Sequence, residues 1–143
     1  MLTLHQATAV SIGGRALLIE GPPGCGKSSL ALALIDRGAS LVGDDGIALS
    51  VREGELWASP PGPTEGLLEI RGVGVIRLAA VSAPVALVLH ADNAPPRFVE
   101  GAIGRMIAGF EIPALPFDLA GPAPDLRAEY ALALHGLSRP GPG

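Results

Sequence analysis

The strongest constraint on this chain's fold is the stretch from residue 16 to residue 38. Ala16-Leu17-Leu18-Ile19 is a short apolar run of strand character. It leads into Gly21-Pro22-Pro23-Gly24-Cys25-Gly26-Lys27-Ser28, and Ser28 to Arg37 then reads as a helix that Gly38 is placed to end. A strand, a glycine-rich loop and a helix in that order give G-x-x-x-x-G-K-S the context of a phosphate-binding loop. Glycines let the backbone curl so that successive N–H groups converge on an oxyanion, and the helix N-terminus adds the positive end of its dipole. The predicted nucleotide cradle is Gly21, Pro22, Pro23, Gly24, Cys25, Gly26, Lys27, Ser28 and Ser29. Lys27 is predicted to reach the β- and γ-phosphates, and the Ser28 hydroxyl to ligate Mg²⁺. Lys27 is also the single lysine beside nine arginines. That contrast marks a position where a compact ammonium on a flexible stem is required.

At 143 residues one domain is expected, with a core of Leu, Ile, Val and Ala because aromatics make up only 3% of the chain. The reading places a kinase domain over residues 1–137 and a disordered tail over 138–143. No apolar run reaches the roughly 20 residues a membrane span needs, and Met1-Leu2-Thr3-Leu4 lacks the pattern of a signal peptide. A net charge of −4 without a basic stripe argues against nucleic acid as a partner. A lone cysteine, Cys25, fits a reducing compartment, so the expected location is cytoplasmic, with no membrane partner. Cys25 itself reads best as filling a variable loop position.

Along the chain, residues 7–12 and 15–20 read as strands joined by Gly13-Gly14. Residues 39–43 form another strand, ending in Asp44-Asp45. A hairpin is predicted from Ile47–Val51 and Leu56–Ala58 through Glu53-Gly54, and Pro60-Pro61-Gly62-Pro63 marks a loop. Leu67–Ile70 and Val73–Leu78 bracket Arg71-Gly72, and Pro84–Leu89 is the most continuous apolar strand. Residues 99–109 read as a weak helix, 112–124 as proline-rich and irregular, and 125–135 as a last helix closed by Gly136. The layout is an α/β domain, a mixed sheet with flanking helices.

Phosphoryl transfer needs a phosphate cradle, a metal and a group to accept the nucleophile's proton. Asp44-Asp45 would face the γ-phosphate from the strand after the loop helix. Strand alternation sends the two carboxylates to opposite faces, one toward phosphate and the other away, where it could pair with a histidine. A plain Asp-Asp-Gly turn reads equally well. Glu69 and Arg71 share a strand face, as a surface ion pair or as a metal-binding carboxylate beside a phosphate-binding guanidinium. His5 is by itself an unremarkable histidine. His90-Ala91-Asp92 offers a further acid, or a turn.

Together these residues resemble the catalytic domain of the HPr kinase/phosphorylase family. The matching pieces are His5, the loop, Ile35-Asp36-Arg37-Gly38, Leu41-Val42-Gly43-Asp44-Asp45, and Leu68-Glu69-Ile70-Arg71-Gly72-Val73-Gly74-Val75-Ile76. They span roughly residues 5–78. The resemblance implies a P-loop fold similar to the HPr kinase and PEP carboxykinase type. It also implies an ATP- and Mg²⁺-dependent serine protein kinase acting on an HPr-like phosphocarrier protein. Asp45 would take the serine proton, His5 would assist through the neighbouring carboxylate, and Lys27 would neutralise phosphate charge. Ser28 and Glu69 would ligate Mg²⁺, with Arg71 tied to both directions of the reaction. Family members assemble as hexamers, which implies a homo-oligomer.

The chain departs from the family in three places. The family usually has an additional N-terminal domain, whereas this sequence starts essentially at the catalytic domain and resembles the short single-domain variants of some proteobacteria. The loop reads Pro22-Pro23-Gly24 where Asp-Ser-Gly is usual. At Pro116 to Pro122 no arginine matches the family's R-P-G-R-N stretch, so the resemblance does not extend to reverse phosphorolysis. Two other functions share the loop: a small-molecule kinase, which needs an arginine-rich lid for which only Arg97 and Arg105 are available, and a nucleotide-dependent sensor module without turnover. The AAA+ ATPases have a similar Gly-Pro-Pro-Gly-x-Gly-Lys, but this chain is too short for their fold.

Overall fold

The computed structural model describes residues 2–138. Its elements are β1 (Thr3–His5), β2 (Thr8–Ile12), β3 (Arg15–Glu20), α1 (Lys27–Asp36), β4 (Ser40–Gly43), β5 (Ile47–Arg52), β6 (Glu55–Ser59), β7 (Leu67–Ile70), β8 (Gly74–Arg77), β9 (Ala83–Ala91), β10 (Ile103–Ile107), β11 (Phe110–Phe117) and α2 (Pro124–His135). Three hairpins turn on two residues, at Gly13-Gly14, Glu53-Gly54 and Ala108-Gly109. All six of these residues have positive φ, the backbone sense that matches the twist of paired strands.

Nine strands form one curled sheet ordered β1-β5-β6-β9-β3-β2-β4, with β11 also pairing β9 and β10 pairing β11. The long strand β9 lets the sheet change direction. Its first residues pair antiparallel with β6, and its later ones lie parallel between β3 and β11. Both β3 and β4 run antiparallel to β2, so β4, β3, β9 and β11 all point the same way. Their carboxyl ends share one edge, where open α/β sheets bind ligands.

Apolar residues on both faces of β3 and β9 explain why these strands read as continuous hydrophobic runs. Leu17, Ile19, Leu87 and Leu89 pack with Leu30 and Leu34 of α1 and with Leu132 of α2. Ala16, Leu18, Val85 and Val88 face the other way, toward Ile47, Leu49 and Leu56 of the curled half-sheet. Each such Leu or Ile contributes about 1.5–3 kcal/mol of burial. Arg37, just past α1, forms a two-pronged ion pair with Glu129 of α2, and Glu129's hydrogen bond and charge raise the arginine's pKa.

Two readings of the sequence are corrected. Residues 99–109 hold no helix; Ile103–Ile107 is the strand β10, joined to β11 by the Ala108-Gly109 turn. Residues 112–124 are not irregular as a whole, because β11 runs to Phe117. Pro113 and Pro116 hid its alternation, in which Ile112 and Ala114 face one core cluster and Leu115 and Phe117 the other. Strand β1, before residue 7, is an addition. The predicted tail falls on residues 139–143, outside the described residues, apart from Ser138, which is exposed. Among the described residues no helix is long and apolar enough to cross a membrane.

Strands β7 and β8 form a separate two-stranded sheet. Gly66, buried and at φ +77°, closes it by accepting the Leu78 N–H at 2.7 Å. A methyl group at residue 66 would overlap the Leu78 carbonyl oxygen as well as straining the backbone. Gly66→Ala is therefore expected to destabilise the protein by roughly 1–3 kcal/mol, read as a lower urea midpoint.

Candidate active site

Loop residues 21–26 connect the carboxyl end of β3 to α1, whose start at Gly26 (φ +106°) has no side-chain cap. The uncapped first-turn N–H groups face a cavity of about 420 Å³ lined by Gly24, Lys27, Ser28, Asp45, Glu69 and Arg71 among others. Lys27 is only 7% exposed, and its Nζ donates to the Gly21 carbonyl at 2.6 Å. Its other neighbour is Asp45 Oδ1 at 3.6 Å, on a carboxylate that is itself 65% exposed. The buried ammonium and the solvent-facing acid thus meet in the cavity.

Asp44 organises the site. Its Oδ1 accepts the Ser28 hydroxyl at 2.6 Å and the Thr8 hydroxyl at 3.2 Å, while its Oδ2 accepts the Glu69 N–H at 3.2 Å. Thr8 Oγ1 in turn accepts the Asp45 N–H at 3.1 Å. One carboxylate therefore links the loop helix, β2 and β7. The expected division of Asp44 and Asp45 between opposite faces is not what the chain does. Strand β4 ends at Gly43, and a bend with Asp45 at φ 61° brings both side chains to the same cavity.

Gly21, Pro22 and Cys25 belong to the loop but do not line this cavity; Pro23, Gly24, Gly26 and Ser29 do. Glu69 comes from β7, Arg71 from the turn after it, and both face the cavity. His5 does not. Its Nε2 lies 2.7 Å from Glu20 Oε2, so the carboxylate it pairs with is neither Asp44 nor Asp45. Glu20, 8% exposed, also takes an ion pair from Arg105 of β10. Alternation along β3 places Glu20 with Ala16 and Leu18, on the sheet face turned away from α1. Thr8 and Glu20 were not singled out from sequence, and Arg105 was considered only as a lid residue. A charged residue closing the apolar run of β3 was the available signal for Glu20.

The fold and site together define a class: an α/β domain whose glycine-rich loop, lysine and converging carboxylates lie at the carboxyl edge of its parallel strands. The model of the HPr serine kinase C-terminal domain matches residues 2–83, and the chain belongs to that family. An HPr kinase/phosphorylase from Clostridium tetani is 48% identical over 74 residues, which is 52% of this chain and 24% of that protein. Another, from Clostridium beijerinckii, is 45% identical over 99 residues, 64% of this chain and 33% of that one. The chain thus spans about a quarter to a third of the length of these curated relatives. A solved structure described as the Hpr(Ser) kinase/phosphatase from Coxiella burnetii superposes with a TM-score of 0.78 at 27% identity, covering 92% of this chain and 87% of that one. The mixed α/β fold is therefore shared with that enzyme.

Proposed function

We propose that this chain is an ATP- and Mg²⁺-dependent protein kinase that phosphorylates a serine of a small HPr-like phosphocarrier protein. The observation behind this reading is the convergence on one cavity of Lys27, Ser28, Asp44, Asp45, Glu69 and Arg71, in a member of this family. In this scheme the loop amides and Lys27 hold the β- and γ-phosphates. Asp45, exposed at the rim, accepts the proton of the incoming serine hydroxyl as its oxygen bonds to the γ-phosphorus. The bond from that phosphorus to the β–γ bridging oxygen breaks, and ADP leaves. Arg71 stabilises charge on the transferring group.

The donor set suits a magnesium–nucleotide complex. Among the described residues no group of three His, Cys, Asp or Glu side chains converges as a metal cage. Mg²⁺ typically takes one or two carboxylates, a hydroxyl and substrate phosphates instead, and Ser28, Asp44 and Glu69 supply such a partial set. Bound there, the ion would neutralise phosphate charge. Lys27, Arg71 and the loop amides supply this chain's own share of that neutralisation.

The forward direction alone is proposed. No arginine stands in residues 116–122, and the neighbouring arginines are engaged elsewhere. Arg105 pairs with Glu20, while Arg127 donates to the Pro122 and Asp118 carbonyls and stacks on Phe117. The test is transfer of radiolabelled γ-phosphate with purified HPr as acceptor. Label on an HPr serine is the expected result. Label reaching only a small-molecule acceptor, or ATP bound without any transfer, would sink this reading in favour of a metabolite kinase or a sensor.

A further inference from the structure

The edge of the sheet opposite the phosphate loop holds another cavity, of about 230 Å³. A fork in the sheet creates it. Strand β9 pairs with β6 only at Ala83 and Pro84, and its pairing with β11 starts at Val88. At Val85 and Ala86 it has left one partner and not yet met the other, so β6 and β11 part and leave space between them. Pairing with β3 also skips Ala86, at an irregularity between Ala16 and Leu17. The Ala86 carbonyl instead accepts the Leu137 N–H at 2.9 Å, which brings the chain after α2 into the wall of the cavity.

We propose that this cavity binds a free α-amino acid with an aliphatic side chain. What the Lys27 cavity transfers has no bearing on it. Three charged side chains line the space, each brought by a different strand: Arg15 begins β3, Glu55 begins β6, and Glu111 is the second residue of β11. Among the described residues none of the three makes an ion pair, and neither glutamate carboxylate has a hydrogen-bond partner. Glu55 is half-buried, where an unanswered charge is costly. Arg15 Nη1 donates to the Leu137 carbonyl at 3.2 Å, which orients the guanidinium and leaves its Nε and Nη2 N–H groups to donate.

These charges define the ligand. An ammonium group answers the two carboxylates, and a carboxylate answers the remaining donors of Arg15. A molecule carrying both satisfies all three side chains, with one of its own charges against each sign. The rest of the wall is apolar: Leu56, Val85 and Ile112 are buried core residues, and Phe110 packs beside them. An aliphatic side chain finds its contacts there. The volume falls below the roughly 300–1,000 Å³ of drug-sized sites, which suits a single amino acid and is too small for a nucleotide.

Calorimetry on the full chain tests this with L-leucine and two analogues: isoamylamine, which lacks the carboxylate, and isocaproate, which lacks the ammonium. Saturable one-to-one binding of leucine is expected, with each analogue weaker by about tenfold or more. Leucine should also raise the urea midpoint, because it binds the folded chain. Glu55→Gln should weaken leucine by about tenfold. Glu111→Gln, at an exposed side chain whose loss leaves folding intact, should weaken it in the same direction, and urea midpoints without ligand check that both variants fold. The cavity lies at the amino end of β3 and the phosphate loop at its carboxyl end, so saturating ATP with Mg²⁺ should leave leucine affinity unchanged. Absence of saturable leucine binding, an analogue that binds as tightly as leucine, wild-type affinity in both variants, or mutual exclusion with ATP would each overturn the assignment.

Discussion

Lys27→Ala is expected to lower phosphate transfer by about a thousandfold or more and to weaken ATP binding as well. The argument is one of geometry and desolvation. A buried ammonium, 2.6 Å from the Gly21 carbonyl and 3.6 Å from Asp45, is oriented by the protein before any phosphate arrives. Charge developing on the γ-phosphoryl group then meets a fixed cation at no cost in reorganisation. Among the described arginines only Arg71 lines the cavity, so the others do not substitute for it. Transfer of radiolabel to HPr and calorimetric ATP affinity, measured on the same preparation, check both halves. Wild-type transfer rates in the variant would remove Lys27 from the mechanism.

Asp45→Asn should separate binding from chemistry. Transfer is expected to fall by about 10²- to 10⁴-fold, the usual share of a general base, while ATP affinity is retained. Asparagine is the appropriate replacement for a structural reason. Residue 45 sits at φ 61°, a conformation that Asn and Asp tolerate better than other side chains, so the bend after β4 should survive. The Asp45 N–H bond to Thr8 is a backbone feature and persists in the variant. Asp45→Ala would mix loss of the base with backbone strain. If Asp45→Asn transfers phosphate at the wild-type rate, the proton goes elsewhere.

Some of this site could be read directly from the chain, and the reasons differ residue by residue. The loop is legible because phosphate binding imposes a fixed spacing on glycine, lysine and serine within a local strand–loop–helix unit. Glu69 is different: chemistry alone allowed a surface ion pair with Arg71, and only the family resemblance argued for the cavity, which it faces. Asp44 and Asp45 were visible as a pair, but their relative orientation depends on a left-handed backbone at residue 45 that alternation does not anticipate. His5 was expected beside those acids. Its partner, Glu20, follows from the way β1 crosses to pair with β5, a long-range choice that local pattern does not encode. The β10–β11 hairpin was missed for a similar reason. Its glycines and prolines are unfavourable for a strand locally, and pairing with β9 outweighs that.

The separate β7–β8 hairpin has a consequence for how such an enzyme could be controlled. Its contacts with the main body include Leu68 in the interior, the approach of β7 to α1, and the Glu69 amide on Asp44. An isolated two-stranded ribbon is only marginally stable. Glu69 and Arg71 stand on such a ribbon outside the main sheet, while Lys27, Ser28 and Asp45 belong to α1 and the bend after β4. On the proposed function, undocking that ribbon would take Glu69 and Arg71 from the cavity and leave the phosphate loop in place.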